Sequence, residues 1–321
     1  MKNFINCNSK TILIWIITAC FIFDVSQSAL AASAIFSKPY PVQIKGLPLG
    51  VDNTPISTEE PFISRDGRFL FFNTAASENN KDLHFAEFIQ NQWVYRGPIG
   101  PDVNTAKYVE GNPTMDRRNK FLYIDTAVDR MVRSAKFSSE TGQLSDIKEF
   151  QTIPNRQIDL VYQKFQGNMG VEISADGKTI YFSRAVWEMR GMELGRMVGS
   201  DILFLTKKNG TYLFDKIWVK NIMQNINTTD LEYAASISAD GLELFFTRME
   251  LEGLKKGKIS SRIMHAVRTS LSEPFGHPVM IQTIGSSNFV EGPAISPDGK
   301  ELYYHKYNGR KFRIFKVRRY N

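Results

Sequence analysis

Four glutamates stand at nearly the same place in a recurring stretch of this chain. Glu59, Glu110 and Glu291 each lie seven positions before a turn residue (Asp66, Arg117 and Asp298), and Glu232 falls one position earlier relative to Asp240. The copy around Asp176 carries Met169 instead. Carboxylates at matching positions of a repeat converge if the repeats surround an axis. Converged carboxylates could accept hydrogen bonds from a neighbouring unit's backbone amides. They could hold a cation through hard oxygen ligands, calcium being the ion that fits. They could also act as acid and base on a glycoside. Asn104, Asn227, Tyr108, Tyr233 and Phe289 lie on the same approaches and would line the same mouth.

The elements that must position these groups are written in the repeat itself. Its copies run from Glu60 to Phe72, Asn112 to Ile124, Val171 to Phe182, Ala235 to Phe246 and Pro293 to Tyr304. Most carry Ser-x-Asp-Gly, in which Asp accepts hydrogen bonds from amides just ahead and Gly supplies a positive φ. β-Branched and aromatic residues flank the turn, so each copy reads as a hairpin of two strands. A third alternating run follows each hairpin: Asp82–Phe88, Met131–Phe137, Asp201–Thr206, Arg262–Arg268 and Lys311–Val317. A weaker fourth strand is expected at Trp93–Ile99, Ile147–Ile153, Ile217–Ile222 and Pro278–Ile284, and the last unit has none.

The turns recur at intervals of roughly 50–65 residues, longer than solenoid repeats and suited to four-stranded propeller blades with insertions. Tyr40–Leu47 has strand character and would complete the last unit by pairing with Lys311–Val317. The predicted fold is therefore all-β: a five-bladed β-propeller of four-stranded antiparallel blades, closed by an N-terminal strand and free of sheet edges.

Pro-x-x-Ser-x-Asp-Gly-x-x-Leu-Phe-Phe-x-Ser/Thr followed by Asp-Ile resembles the WD40-like (PD40) propeller repeats of TolB-type periplasmic proteins. Val103-Asn-Thr105 followed by Glu110, and Ile226-Asn-Thr228 followed by Glu232, look like the versions found before peptidoglycan-binding domains of outer-membrane proteins. The likeness covers about residues 40–318. It departs in the second copy, where Asp116-Arg-Arg-Asn-Lys120 replaces Ser-x-Asp-Gly-Lys and a different turn is expected. The related repeats often carry Glu ahead of the hairpin, which favours a structural role for those carboxylates.

In a propeller the entry loops and the loops between second and third strands open on one face, and the Ser-x-Asp-Gly turns on the other. The repeated Asp residues are thus turn-formers, and Arg65 and Lys178 on those turns should be remote from any site. Two long insertions, Ala185–Gly199 and Met249–Lys258, join the entry-loop face. Long loops on a rigid scaffold are where binding usually resides. Trp187, with Met189, Met192 and Met197, offers an adaptable apolar surface there.

At the N-terminus, Lys2 and Lys10 precede the apolar run Thr11–Phe23 and the small-residue site Ala29-Leu-Ala31. This reads as a cleaved signal peptide over 1–31, leaving a single propeller domain over 35–321 in the periplasm or secreted. Ile17-Thr-Ala-Cys20 also fits a lipobox, which would make an outer-membrane lipoprotein; the apolar Phe21–Phe23 after it weighs toward ordinary cleavage. Cys7 and Cys20 are the only cysteines, so the domain itself has neither disulfide nor thiolate metal site.

The net charge of +7 is mild, with the excess crowded between Lys300 and Arg319. A solvated face explains it more simply than contact with anionic envelope material. No nucleic-acid module is present, and no transmembrane segment is expected in the mature chain. The histidines His84, His265, His277 and His305 fit no metal-ligand spacing. There is no nucleophile elbow and no phosphate-binding loop.

Two functions compete. The first is a non-catalytic envelope propeller, expected to be a monomer without cofactor, that presents one loop face to a protein, peptide or glycan. The second is a carbohydrate-active hydrolase using Glu59, Glu110, Glu232 or Glu291.

Overall fold

The structure is a computed structural model that describes residues 36–320, apart from 78–79, 101, 107, 127–130, 154–156, 160 and 192. The segment 1–31 read as a signal peptide, with Cys7 and Cys20, and Met192 lie outside the described residues.

Local turn chemistry builds the hairpins. In the first, Asp66 Oδ1 accepts the Arg68 N–H at 3.0 Å, the Ser64 hydroxyl accepts the Phe69 N–H at 2.8 Å, and Gly67 sits at φ +75°. The same bonds recur at Ser174/Asp176, Ser238/Asp240 and Ser296/Asp298. In the second unit Asp116 occupies the serine's place. Its Oδ1 accepts from the N–H groups of Arg118 (2.8 Å) and Lys120 (3.0 Å), and Asn119 takes the left-handed position at φ +62°. The strand resumes one residue sooner: Asp116 N–H bonds to the Lys120 carbonyl, whereas Ser64 N–H bonds to that of Phe69.

The chain is almost all β. The innermost strands are Glu59–Ile63, Glu110–Met115, Lys164–Ile173, Leu231–Ile237 and Val290–Ile295. Each packs beside the next, and the last packs beside the first. Antiparallel strands fan outward from each, and apolar cores fill the spaces between units. Between the first and second units Phe71 and Phe137 meet edge to face with ring centroids 5.0 Å apart, a favoured aromatic geometry.

The outer strands depart from expectation in three places. Ile217–Ile222 reads as a strand from its β-branched residues, but Lys216–Ile222 is an α-helix. Asp215 caps it by accepting from the Ile217 and Trp218 N–H groups, and Val219 and Ile222 bury one face at helical spacing. The fourth strand of that unit is instead Thr211–Leu213. Pro278–Ile284 yields only Val279–Met280, with Ser286–Ser287 pairing further along the same neighbour. The segment Tyr40–Leu47 divides its pairing. Tyr40 and Pro41 pair antiparallel with Lys316 and Phe315 of the last unit, while Ile44 and Lys45 pair parallel with Trp93 and Val94 of the first.

The insertion Ala185–Gly199 is not an open loop either. Strands Thr179–Arg190 and Glu193–Lys208 continue through it as an arm, edged by Lys164–Asn168 and Gln157–Asp159. Met249–Lys258 holds a short helix, Leu251–Lys255.

Candidate functional site

Every inner strand carries a register shift at one level, between Glu59 and Phe62, Gly111 and Thr114, Asn168 and Gly170, Tyr233 and Ser236, and Glu291 and Ala294. These bulges align the units by geometry, and the alignment corrects the sequence ruler. Because the second turn is one residue shorter, Glu110 is level with Glu232, not with Glu59 and Glu291. A one-residue shift sends a strand side chain to the opposite face. The four glutamates therefore fall into two pairs with different surroundings.

Glu110 and Glu232 are built into the scaffold. Glu110, fully buried, accepts from the Thr105 N–H (3.2 Å) and hydroxyl (2.8 Å). Glu232, equally buried, accepts from the Thr228 N–H (3.0 Å) and hydroxyl (2.6 Å), and from Arg248 Nε at 2.7 Å. Burial pushes the Glu110 carboxyl up to about 7 against these hydrogen bonds, with Asp125 and Asp82 adding repulsion. Burial also raises Glu232, opposed by Thr228 and Arg248.

Asn104 and Asn227 serve the same device. Asn104 accepts from the Leu83 N–H (2.7 Å) and donates to its carbonyl (2.9 Å); Asn227 does both to Ile202, each at 2.9 Å. In Val/Ile-Asn-Thr followed by Glu, the apolar residue enters the core, Asn clamps the third strand, and Thr engages the carboxylate. Tyr108 belongs to this loop, its N–H bonded to the Thr105 hydroxyl.

Glu59 and Glu291 do share a neighbourhood. Glu59 is buried and ion-pairs with Lys81. Glu291 Oε1 accepts from the Tyr233 hydroxyl at 2.6 Å, and its Oε2 lies 3.6 Å from His305 Nε2. Burial works against the Lys81 charge, but Glu60, Glu59 and Glu291 around it outweigh that and raise its pKa. The Tyr233 phenol is driven well above its usual value by burial first and Glu291 second.

The sequence did not point to Glu60, Lys81 or His305 as members of this group. Glu60 sits in the bulge at φ +50°, an uncommon conformation for a non-glycine residue. From there its Oε2 accepts from Asn73 Nδ2 (2.8 Å) and the Asn112 N–H (2.7 Å), while its own N–H donates to His305 Nδ1 at 3.1 Å. That bond places the histidine's proton on Nε2, toward Glu291. Gly292 makes the approach feasible, since a Cβ there would lie 2.8 Å from His305 Nδ1. The Glu59-Glu60 doublet was the available signal.

At the level of the bulges the axis narrows to a cavity of about 30 Å³, walled by Glu60, Asn112, Glu172 and Gly292 among others, with room for a water molecule or two. Arg65 crosses beneath it, donating to Glu172 at 2.8 Å and to the Ile173 carbonyl. Arg65 is thus an axial strut and not the remote turn residue the sequence suggested.

Trp187 is also not on the surface. It packs against Phe165 with centroids 5.4 Å apart and, with Ala185 and Met189, forms a small core inside the arm. Met169 and Met197 link that core to Leu231, Tyr233 and Met249, where Phe289 is packed. What the arm exposes is Ile158, Val161 and Tyr162. Among the described residues, no three or more His, Cys, Asp or Glu side chains are grouped to hold a metal ion. No helix among them is long and apolar enough to cross a membrane.

No protein-family model matches the chain, and no curated protein matches it by sequence. By structure it is similar to the BT0996 protein in its complex with RGII, with TM-score 0.56, 12% identity, and coverage of 91% of this protein and 94% of that one. It is similar to a glycoside hydrolase with TM-score 0.54 and 12% identity, covering 88% and 92%. TolB from Acinetobacter baumannii aligns more loosely, with TM-score 0.44 and 12% identity over 84% of this chain, which spans 56% of that protein's length. The neighbours are propellers, and the fold of this chain is propeller-like.

Proposed function

We propose that this chain is a non-catalytic binding propeller of the bacterial envelope, a single domain over 35–321 exported by the signal peptide 1–31. In this reading it has five blades, and the last is completed by Tyr40–Pro41. The cyclic packing of the five inner strands supports the blade count, and the pairing of Tyr40 with Lys316 supports the closure.

One observation carries the functional choice: each of the four mouth glutamates is engaged by the protein's own donors. Glu59, Glu110 and Glu232 are at most 3% exposed. A carboxylate acting on a glycoside must reach the scissile bond, and these three are buried and held by Lys81, Thr105 and Thr228. The partner-facing surface is then the arm, whose apolar Ile158, Val161 and Tyr162 project from the entry-loop face. A protein, peptide or glycan could be held there.

The hydrolase reading retains one supporting feature. Glu291 is partly exposed and faces both a phenol and an imidazole. Both readings are tested together by offering the mature protein a panel of envelope glycans and peptides. Saturable binding without reducing-end release, weakened by Tyr162→Ala and Val161→Ser, is the expected result. Glycan cleavage abolished by Glu291→Gln would replace this reading with the hydrolase.

A further inference from the structure

Several of the C-terminal cations singled out by the sequence are already matched. Lys311 pairs with Asp52 (2.6 Å), Lys316 with Glu301 (2.8 Å) and Arg319 with Glu243 (2.7 Å), while Arg313 donates to the Pro55 and Ile56 carbonyls. A second positive cluster, gathered around a cleft, lies in the second unit. Lys120 and Lys136 stand directly opposite each other on adjacent strands, and like charges so placed repel. Lys148 lies on the next strand, and Lys207 approaches from the third unit. Among the described residues none of these four lysines makes an ion pair, and Arg118 reaches Asp116 only at 3.7 Å.

Lys120, Lys136, Lys148 and Arg118 border an open cleft of about 500 Å³ with Ala135 and Phe150 in its wall and Asp146 and Glu149 among its lining residues. Lys120 is bracketed by rings, its Nζ 4.8 Å from the centroids of both Phe150 and Tyr212. Burial, then the nearby Lys207, depresses its pKa, with Asp116 opposing. A half-buried ammonium among like charges is unfavourable unless an anion joins it.

We propose that this cleft binds a phosphate group, free or esterified to a sugar, through Lys120, Lys136, Lys148 and Arg118. Charge-assisted hydrogen bonds from several donors give such a group its affinity. The aromatic bracket holds Lys120 in place beforehand, which lowers the ordering cost of binding.

The test is calorimetric titration of the full mature chain with inorganic phosphate, a sugar 1-phosphate and sulfate at fixed ionic strength. Saturable binding of a phosphate probe, weakened about tenfold or more by Lys120→Met and measurably by Lys136→Gln but not by Lys300→Gln on another turn, is expected. Preference for inorganic phosphate would identify a free-phosphate site, and preference for the sugar phosphate an ester site. In phosphate-free buffer Lys120→Met should melt no lower than wild type. Three results would overturn the proposal: unsaturable binding, sulfate bound as well as the phosphate probes, or equal loss with Lys300→Gln. Collapse of the Lys120→Met fold, with Lys136→Gln binding normally, would instead make Lys120 a structural brace.

Discussion

Arg65, on the turn of the first unit, and Glu172, on the inner strand of the third, form a buried ion pair of 2.8 Å at the axis of the molecule. Thr114 of the second unit donates to the other oxygen of Glu172 at 2.6 Å, and the Ile237 N–H of the fourth unit reaches Oε1 at 3.4 Å, so one carboxylate ties four units together. Breaking a buried pair from one side leaves an uncompensated charge. Arg65→Ala should cost about 3–5 kcal/mol, and the Arg65→Met, Glu172→Met double variant distinctly less. Denaturant midpoints of wild type, single and double variants decide this. Equal losses in the single and double variants would show that the pair is not the source.

The fourth and fifth units are joined through Glu243, which His265 and Arg319 both reach. Burial alone would raise this carboxyl, but the bonds from His265 and Arg319 outweigh it and hold it at about 2, below its ordinary 4.5. A lowered carboxyl pKa contributes stability that is complete above the unfolded value and lost as pH falls through the folded one. The stability gap between wild type and Glu243→Gln should therefore narrow as pH drops from 4.5 toward 2. A gap that stays constant over that range would rule out the linkage.

Glu110 behaves with the opposite sign. Its pKa is raised to about 7 from 4.5, so the native state holds its proton more tightly than the unfolded chain. Its favourable contribution is complete below 4.5 and is lost as pH rises through 7. Glu110→Gln keeps an acceptor for Thr105 and removes the charge. Relative to wild type, this variant should gain stability between pH 5 and pH 8, measured by thermal melts across that range.

The turns make a cleaner backbone test. Gly177 sits at φ +70°, and a Cβ there would lie 2.5 Å from Asp116 Oδ2 of the neighbouring unit. Gly177→Ala should destabilise by about 1–3 kcal/mol. Asn119→Gly, which relieves a side chain at φ +62°, should be within about 1 kcal/mol of wild type. Equilibrium unfolding of the two variants gives both numbers, and a neutral Gly177→Ala would mean that the neighbouring turn yields.

Tyr40–Pro41 pairs with the last unit and Ile44–Lys45 with the first, so this segment spans the junction between the chain's two ends. A chain lacking residues 36–48 should melt well below the same chain with them in differential scanning calorimetry. An unchanged melting temperature would remove the proposed closure.

The hairpins were legible because their information is local. Ser-x-Asp-Gly fixes a turn within a few residues, and the alternation beside it sets which side chains face inward. The clamp in Val103-Asn-Thr105 and Ile226-Asn-Thr228 was visible as a motif, though its partners Leu83 and Ile202 were not. Even the helix at Lys216–Ile222 left a trace in the capping Asp215, masked by residues that read equally well as a strand.

The candidate site was legible only as a list of glutamates. Which of them meet depended on a turn one residue shorter at Asp116 and on a bulge in every inner strand. Those shifts exchange the faces of side chains without altering the hydrophobic pattern. The shorter turn set Glu110 apart from Glu59, and strand pairing within a unit buried Trp187 inside the arm and set Lys120 opposite Lys136. Packing between units alone brought Glu60 to His305 and drew Arg65 under the axis, because those contacts depend on register and rotation that no single repeat encodes.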